Sequence, residues 1–176
     1  MARILVVTYS FTGTGARLAE LLCRSRDWTS AQVSDRRPRR RWVTLRCAIE
    51  SFFRLKPPIV YNGPDPAGFD LVVLVAPIWL RRLAGPMRSF VANFGAGLRK
   101  VAVVSVMGGK GGQNAPAEIG NLLDRAPLMS TTFTMREVDD GSYAPRLLAL
   151  AAALQAATEQ TQGELRPFVL SPESAG

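Results

Sequence analysis

The sequence predicts an α/β fold in which a doubly wound parallel sheet lies between two layers of helices, as a three-layer αβα sandwich. Short apolar runs alternate with helix-like segments along most of the 176 residues, and this alternation is typical of parallel sheets. One run, Phe69 to Ala76, is almost continuous Val and Leu, as expected for a strand covered by helices on both faces. We expect one domain over residues 1–163, followed by a tail over residues 164–176.

Five strands are predicted from apolar runs and from the turn residues between them. They are Arg3–Thr8, Ala31–Ser34, Phe69–Ala76, Lys100–Val106 and Thr131–Glu137. Helices are predicted where apolar residues recur every three or four positions. They are Thr14–Arg24, a helix that starts at Arg41 and is ended by Pro57-Pro58, a helix opened by Pro86, Pro116–Leu123, and Tyr143–Thr161. The segment Tyr61–Pro66 is rich in turn residues and is predicted to be a loop.

The turn after the first strand has the composition of a phosphate-binding loop. It reads Ser10, Phe11, Thr12, Gly13, Thr14 and Gly15. The first N–H groups of a helix lack intrahelical partners, and the helix dipole attracts anions. Glycines let the backbone approach a phosphate, and hydroxyls donate hydrogen bonds to it. The alternative is an ordinary strand–helix turn that happens to be rich in Gly and Thr.

Residue spacing excludes two other phosphate-binding motifs, one in this loop and one around Lys110. A dinucleotide-binding loop, Gly-x-Gly-x-x-Gly, would have its third small residue at the position of Leu18. A Walker loop ends in Gly-Lys-Ser/Thr, whereas Lys110 is followed by Gly111, and Val104 stands where its first glycine belongs. What remains is a loop whose hydroxyls, without a lysine or arginine, hold the phosphate.

This loop resembles the FMN-phosphate loop of the flavodoxin family, which reads Ser/Thr-x-Thr-Gly-x-Thr. Ser10, Thr12 and Gly13 match it, whereas Gly15 stands where the family has a hydroxyl and Thr14 where Asn is frequent. The resemblance implies the strand order 2-1-3-4-5 and a non-covalent FMN site at the carboxyl ends of strands 1, 3 and 4. One lost hydrogen bond to a charged phosphate costs about 1.5–3 kcal/mol. We therefore expect FMN binding that is weakened but retained.

The loop after the third strand is similar to one that lines the isoalloxazine ring in flavodoxin-like reductases. It reads Pro77, Ile78, Trp79, Leu80, Arg81 and Arg82, and Pro86 and Arg88-Ser89-Phe90 follow. We expect Trp79 to stack on the flavin; packing under the next helix is the alternative. Arg81 and Arg82 would stabilise negative charge on a reduced flavin or hold the phosphates of a nicotinamide nucleotide. Two exposed surface arginines are the alternative there.

The loop after the fourth strand is rich in glycine. It begins with Met107, Gly108 and Gly109 and continues with Lys110-Gly111-Gly112. Glycines at the end of a buried strand indicate close backbone approach to a flat ligand, or a mobile lid. Similar loops follow strand 4 in flavodoxin-like reductases, which implies that the Gly108 and Gly109 backbone reaches the edge of the flavin.

Composition limits the chemistry of the chain. It contains no histidine, which removes Ser-His-Asp and Cys-His arrangements and most transition-metal sites. We predict no catalytic side chain and no metal site, so a cofactor would carry the chemistry. Cys23 and Cys47 are expected to be free thiols within helices. The longest apolar run, Leu71–Leu80, is about half of a membrane span, and we expect a cytoplasmic protein.

These features predict an FMN-binding, flavodoxin-like flavoprotein that transfers electrons. The resemblance implies either an oxidoreductase that uses NAD(P)H to reduce a quinone or similar acceptor, or a one-electron carrier that docks on a redox partner protein. Known flavodoxin carriers are typically acidic, so the net charge of +8 favours the reductase. Two other classes stay open. One is a flavodoxin-like interaction module that has lost flavin, which Gly15 would suit. The other is a nucleic-acid binder, which rests on the basic run Arg36–Arg41 alone.

Overall fold

The structure is a computed structural model, and it describes residues 2–36, 55–79, 81–108 and 114–164. The helix predicted from Arg41, Cys47 and most of the basic run Arg36–Arg41 lie outside the described residues. So does the predicted tail beyond residue 164.

One mixed sheet forms the centre of the fold. Its strands are β1 (Ile4–Thr8), β2 (Thr29–Asp35), β3 (Ile59–Asn62), β4 (Leu71–Trp79), β5 (Arg82–Leu83), β6 (Val101–Met107) and β7 (Met129–Thr134). The order across the sheet is β3-β2-β1-β4-β6-β7, and β5 pairs with the end of β4. The strands β2, β1, β4, β6 and β7 are parallel to one another. Counted along the chain, they give the predicted order 2-1-3-4-5, which is confirmed.

Two short antiparallel strands were not predicted. β3 includes Tyr61 and Asn62, which turn-residue composition had placed in a loop. Its pairing with the edge of β2 satisfies backbone groups that a solvated loop would leave to water. β5 folds back on β4, with Trp79 opposite Arg82. This pairing extends β4 to Trp79, three residues beyond the predicted end at Ala76.

Helices cover both faces of the sheet. They are α1 (Thr14–Arg26), α2 (Gly85–Phe94), α3 (Asn114–Leu123), α4 (Met135–Asp140) and α5 (Tyr143–Glu164). The apolar sides of α1 and α5 pack on one face, and those of α2 and α3 pack on the other. Successive residues of β4, such as Val73 and Leu74, belong to opposite layers of the core. Burial on both faces explains the unbroken apolar run of this strand.

The end of the fifth predicted strand was wrong. β7 ends at Thr134, and the next residues form α4. The Glu137 N–H donates to the Thr134 hydroxyl at 3.2 Å, and the Thr134 N–H donates to the Glu137 carboxylate at 2.6 Å. This reciprocal capping box satisfies the first donors of the helix and so ends the strand.

Among the described residues, no helix has both the length and the apolar character needed to cross a membrane.

Candidate functional site

The loop between β1 and α1 delivers an uncapped helix N-terminus to the carboxyl end of the sheet. Gly13 is the N-cap residue of α1 and has a left-handed backbone, with φ of 85°, which a residue with a β-carbon adopts only with strain. No side chain within the described ranges caps this helix, and its first turn contains no acidic residue. The first N–H groups of α1 therefore face the loop without a side-chain acceptor.

Two threonine hydroxyls meet at the start of α1. The Oγ1 atoms of Thr12 and Thr14 lie 3.0 Å apart and share a hydrogen bond. Thr14 and Gly15 are buried, whereas Thr12 is exposed. A β-carbon added to Gly15 would lie 3.4 Å from the Ser10 Oγ, in ordinary van der Waals contact. The loop thus holds its hydroxyls together and has room for a side chain at position 15.

The β4–β5 hairpin places Trp79 and Arg81 at the same edge of the sheet. Arg81 lies in the turn with φ of 62°, a left-handed conformation that is strained for arginine. The side-chain amide of Asn114, the first residue of α3, donates to the Arg81 carbonyl at 2.8 Å. This bond ties the strained turn to α3.

A buried arginine supports the hairpin from within. Arg88 of α2 is 2% exposed, and its Nε donates to the Glu118 carboxylate at 2.6 Å. Its other nitrogens donate to the carbonyls of Leu55 and Leu83, both at 2.9 Å. The same carboxylate accepts the Leu83 N–H at 3.1 Å. The network joins α2, α3 and β5, and so fixes the turn that carries Arg81.

The loops after β1, β4 and β6 surround one cavity of about 430 Å³. It is lined by Ser10, Phe11, Thr12, Thr14, Gly15, Pro77, Ile78, Trp79, Arg81, Val106, Met107, Gly108 and Met135. Among these described residues, all side-chain hydroxyls come from the β1–α1 loop and the start of α1, and most apolar side chains come from β4, β6 and α4. The arrangement suits a ligand with an anionic end and a flat apolar body.

Two aromatic rings meet in this cavity. Phe11 and Trp79 are in edge-to-face contact, with ring centroids 6.0 Å apart and an interplanar angle of 67°. Trp79 Nε1 is buried and has no hydrogen-bond partner among the described residues, so the indole presents carbon atoms to the cavity. A flat ring between two parallel rings needs about 7 Å between them, twice the usual contact distance. The observed separation of 6.0 Å is smaller than this, and the Phe11 side chain is 42% exposed.

Solved structures with a similar chain path define the fold. A flavoprotein from Lactobacillus acidophilus NCFM, solved in complex with FMN, has a TM-score of 0.66 and is 18% identical, covering 81% of this chain and 99% of its own. The apo-form of the flavoprotein from that organism has a TM-score of 0.58 at 16% identity, covering 79% and 96%. Flavodoxin from Megasphaera elsdenii has a TM-score of 0.52 at 16% identity, covering 85% and 98%. The chain has the flavodoxin-like fold. No protein-family model and no curated protein matches its sequence.

The flavodoxin-like fold brings together most of the residues that the sequence singled out. Gly13 does not line the cavity, although it sets the start of α1. Arg82 lines a neighbouring cavity instead. Leu80 and Gly109 lie outside the described residues. Every other predicted cofactor-binding residue lines the cavity.

Sequence reasoning missed Met135 and Val106 as lining residues. Met135 was placed within the fifth strand, where it had no reason to face a ligand. The spacing of Thr134 and Glu137 matches the Ser/Thr-x-x-Glu signature of a capping box, which would have ended the strand one residue earlier than Met135. In the structure the Met135 sulfur lies 3.6 Å from the position of a β-carbon on Gly108, so this side chain packs beside the third loop.

Arg88 was also missed as a structural residue. From the sequence, Arg88 had no assigned role beyond its place in the segment Arg88-Ser89-Phe90. Met87 and Phe90 beside it are buried, but successive residues of a helix point about 100° apart, so the sequence alone did not indicate that Arg88 is buried.

Cys23 is a free, half-buried thiol, as predicted. Burial raises the pKa of this thiol to about 11, so it is protonated at neutral pH and a poor nucleophile. It does not line the cavity. The described part of the chain has no cluster of three or more His, Cys, Asp or Glu side chains that could hold a metal ion.

Proposed function

We propose that the protein binds FMN non-covalently in this cavity and acts in electron transfer. One observation carries the proposal: a single cavity joins the uncapped, hydroxyl-bearing start of α1 to the indole of Trp79. The flavoprotein solved with FMN has the same chain path at 18% identity, which supports the choice of ligand.

The β1–α1 loop is proposed to hold the phosphate. The hydroxyls of Ser10, Thr12 and Thr14 donate hydrogen bonds, and the first N–H groups of α1 add to them. The helix dipole favours the negative charge at this position. Gly15 contributes no hydroxyl but lets its backbone approach the phosphate oxygens.

The apolar part of the cavity is proposed to hold the ring. Trp79, Met107 and Met135 line this part of the cavity and would contact the ring through their apolar side chains. Gly108 lines the same part of the cavity, and its backbone would lie near the edge of the ring. Bound there, FMN would supply the chemistry of hydride and electron transfer between a reduced nicotinamide nucleotide and an acceptor.

We favour an NAD(P)H-dependent reductase of a quinone or similar acceptor over a one-electron carrier. Arg81 is exposed and lines the cavity, so its positive charge lies where negative charge would gather on a reduced ring. The net charge of +8 would hinder docking on a basic redox partner and would attract a phosphate-bearing donor.

Two measurements test the proposal. Apo-protein is titrated with FMN, FAD and NAD while flavin fluorescence or ligand-induced protein fluorescence is followed; FMN should bind saturably and tighter than the other two. The loaded protein is then mixed with NADH or NADPH without oxygen, and the flavin should bleach within seconds.

Each step has its own contradicting outcome. No saturable binding at high micromolar FMN, in protein shown to be folded by circular dichroism, would overturn flavin binding and favour an interaction module. Saturable binding without bleaching by either nucleotide, where dithionite still reduces the flavin, would overturn the reductase and favour the carrier.

A further inference from the structure

A second cavity lies beside the one proposed for FMN, and Arg81 lines both. It has a volume of about 610 Å³. Its lining residues are Lys56, Arg81, Arg82, Arg88, Asn114, Ala117, Glu118, Asn121 and Leu122. We call it the basic cavity. The proposed function of the first cavity makes no use of it.

Among the described residues that line the basic cavity, basic side chains outnumber acidic ones. Arg88 and Glu118 neutralise each other in their buried pair. Lys56, Arg81 and Arg82 have no acidic partner within the described ranges, so three positive charges border one opening. Like charges that share one opening repel one another, and a bound anion reduces this repulsion.

Neighbouring elements fix the backbone positions of the two arginines. Arg82 is held in β5, where it pairs with Trp79. Arg81 is held in its left-handed turn by the amide of Asn114. Guanidinium groups match the geometry of phosphate oxygens, and a fixed backbone reduces the entropy lost when they bind. The cavity therefore has the features of a site for a phosphate or pyrophosphate group.

We propose that the basic cavity binds the pyrophosphate of the nicotinamide dinucleotide that reduces the flavin. This inference rests on the proposed function, because the donor is useful only beside a flavin. Since Arg81 lines both cavities, a dinucleotide with its phosphates in the basic cavity would have its nicotinamide end beside the cavity that contains Trp79.

The first test needs no flavin. Apo-protein is titrated with inorganic pyrophosphate and with ADP-ribose by calorimetry, and both should bind saturably. Arg82→Ala, which changes a residue of the basic cavity alone, should weaken both by about tenfold, the effect of losing one charge-assisted hydrogen bond. Arg26→Ala is the matched control. Arg26 is exposed and lines a groove at the opposite end of the sheet, so its loss should leave both affinities unchanged.

The second test uses the FMN-loaded protein. The NADH or NADPH concentration for half-maximal flavin reduction should rise by about tenfold in Arg82→Ala, while the limiting rate and the FMN affinity stay at wild-type values. ADP-ribose should compete with the donor in the wild-type protein and lose this effect in the variant.

The outcomes separate this inference from the proposed function. If FMN binds but pyrophosphate and ADP-ribose do not, or if Arg82→Ala and Arg26→Ala have equal effects, the inference is wrong and the FMN site stands. If pyrophosphate binds through Arg82 but donor concentrations are unaffected by its removal, the assignment to the donor is wrong. If FMN fails to bind, the proposed function is wrong. The assignment of the basic cavity to the donor is then wrong as well, even if the cavity binds pyrophosphate.

Discussion

Replacing Glu118 by Gln should destabilise the fold by about 3 kcal/mol, because the buried charge of Arg88 would lose its counter-ion. The two side chains are only 2% and 12% exposed, and the carboxylate accepts from Arg88 Nε at 2.6 Å and from the Leu83 N–H at 3.1 Å. Removal of one partner from a buried pair costs about 3–5 kcal/mol. Glutamine keeps one acceptor oxygen, which places the loss at the lower end.

The assay is urea unfolding followed by circular dichroism and tryptophan fluorescence. Glu20→Gln is the matched control, since Glu20 pairs with Arg24 at 2.7 Å on the exposed surface of α1, and exposed pairs contribute little. The double variant Arg88→Met/Glu118→Leu should lose less stability than the sum of Arg88→Met and Glu118→Leu, because it leaves no uncompensated charge.

Two results would refute this reasoning. One is an equally small loss of stability in Glu118→Gln and Glu20→Gln. The other is strict additivity in the double variant, which would show that Arg88 and Glu118 do not act as a pair.

Three further predictions concern separate parts of the chain. Gly15→Thr should tighten FMN by about tenfold, by supplying one more hydrogen bond to the phosphate; unchanged or weaker binding to a folded variant would contradict this. Hydrogen bonds from Thr134 lower the pKa of Glu137 below its usual 4.5, so its contribution to stability is full above pH 4.5 and is lost as the pH falls through its lowered value. The unfolding temperature of Glu137→Gln should therefore depend less on pH between about 3 and 6 than that of the wild type. An equal dependence on pH in the two proteins would contradict this prediction. In a Cys47→Ser background, modification of Cys23 by a thiol reagent should keep accelerating up to about pH 11; a plateau near pH 8 would disprove the raised pKa.

The parallel strands and the phosphate loop were predictable because their signals are local. The apolar run around Val73 and the six-residue turn from Ser10 can each be recognised from their own residues alone. Trp79 was placed beside the same turn because parallel strands end at a common edge, so chain order alone brought the two together.

The remaining features depend on contacts between distant residues. Arg88 and Glu118 are 30 positions apart, and no local pattern pairs them. Nothing in the sequence distinguishes Arg81 from Arg82, whereas in the structure only Arg81 lines the cavity that contains Trp79. Met135 was mispredicted because its segment matches both a strand pattern and a capping box. In the structure the capping box starts α4 at Met135.

The central claim is that the β1–α1 loop holds the phosphate of FMN, and comparison of FMN with riboflavin tests it most directly. Several hydrogen bonds to a charged group should make FMN bind at least about a hundredfold tighter than riboflavin. Thr12→Ala should reduce this ratio by about tenfold through the FMN affinity alone. Thr29→Ala, at the exposed start of β2, should leave the ratio unchanged. Equal affinities of the wild-type protein for FMN and riboflavin would contradict the account.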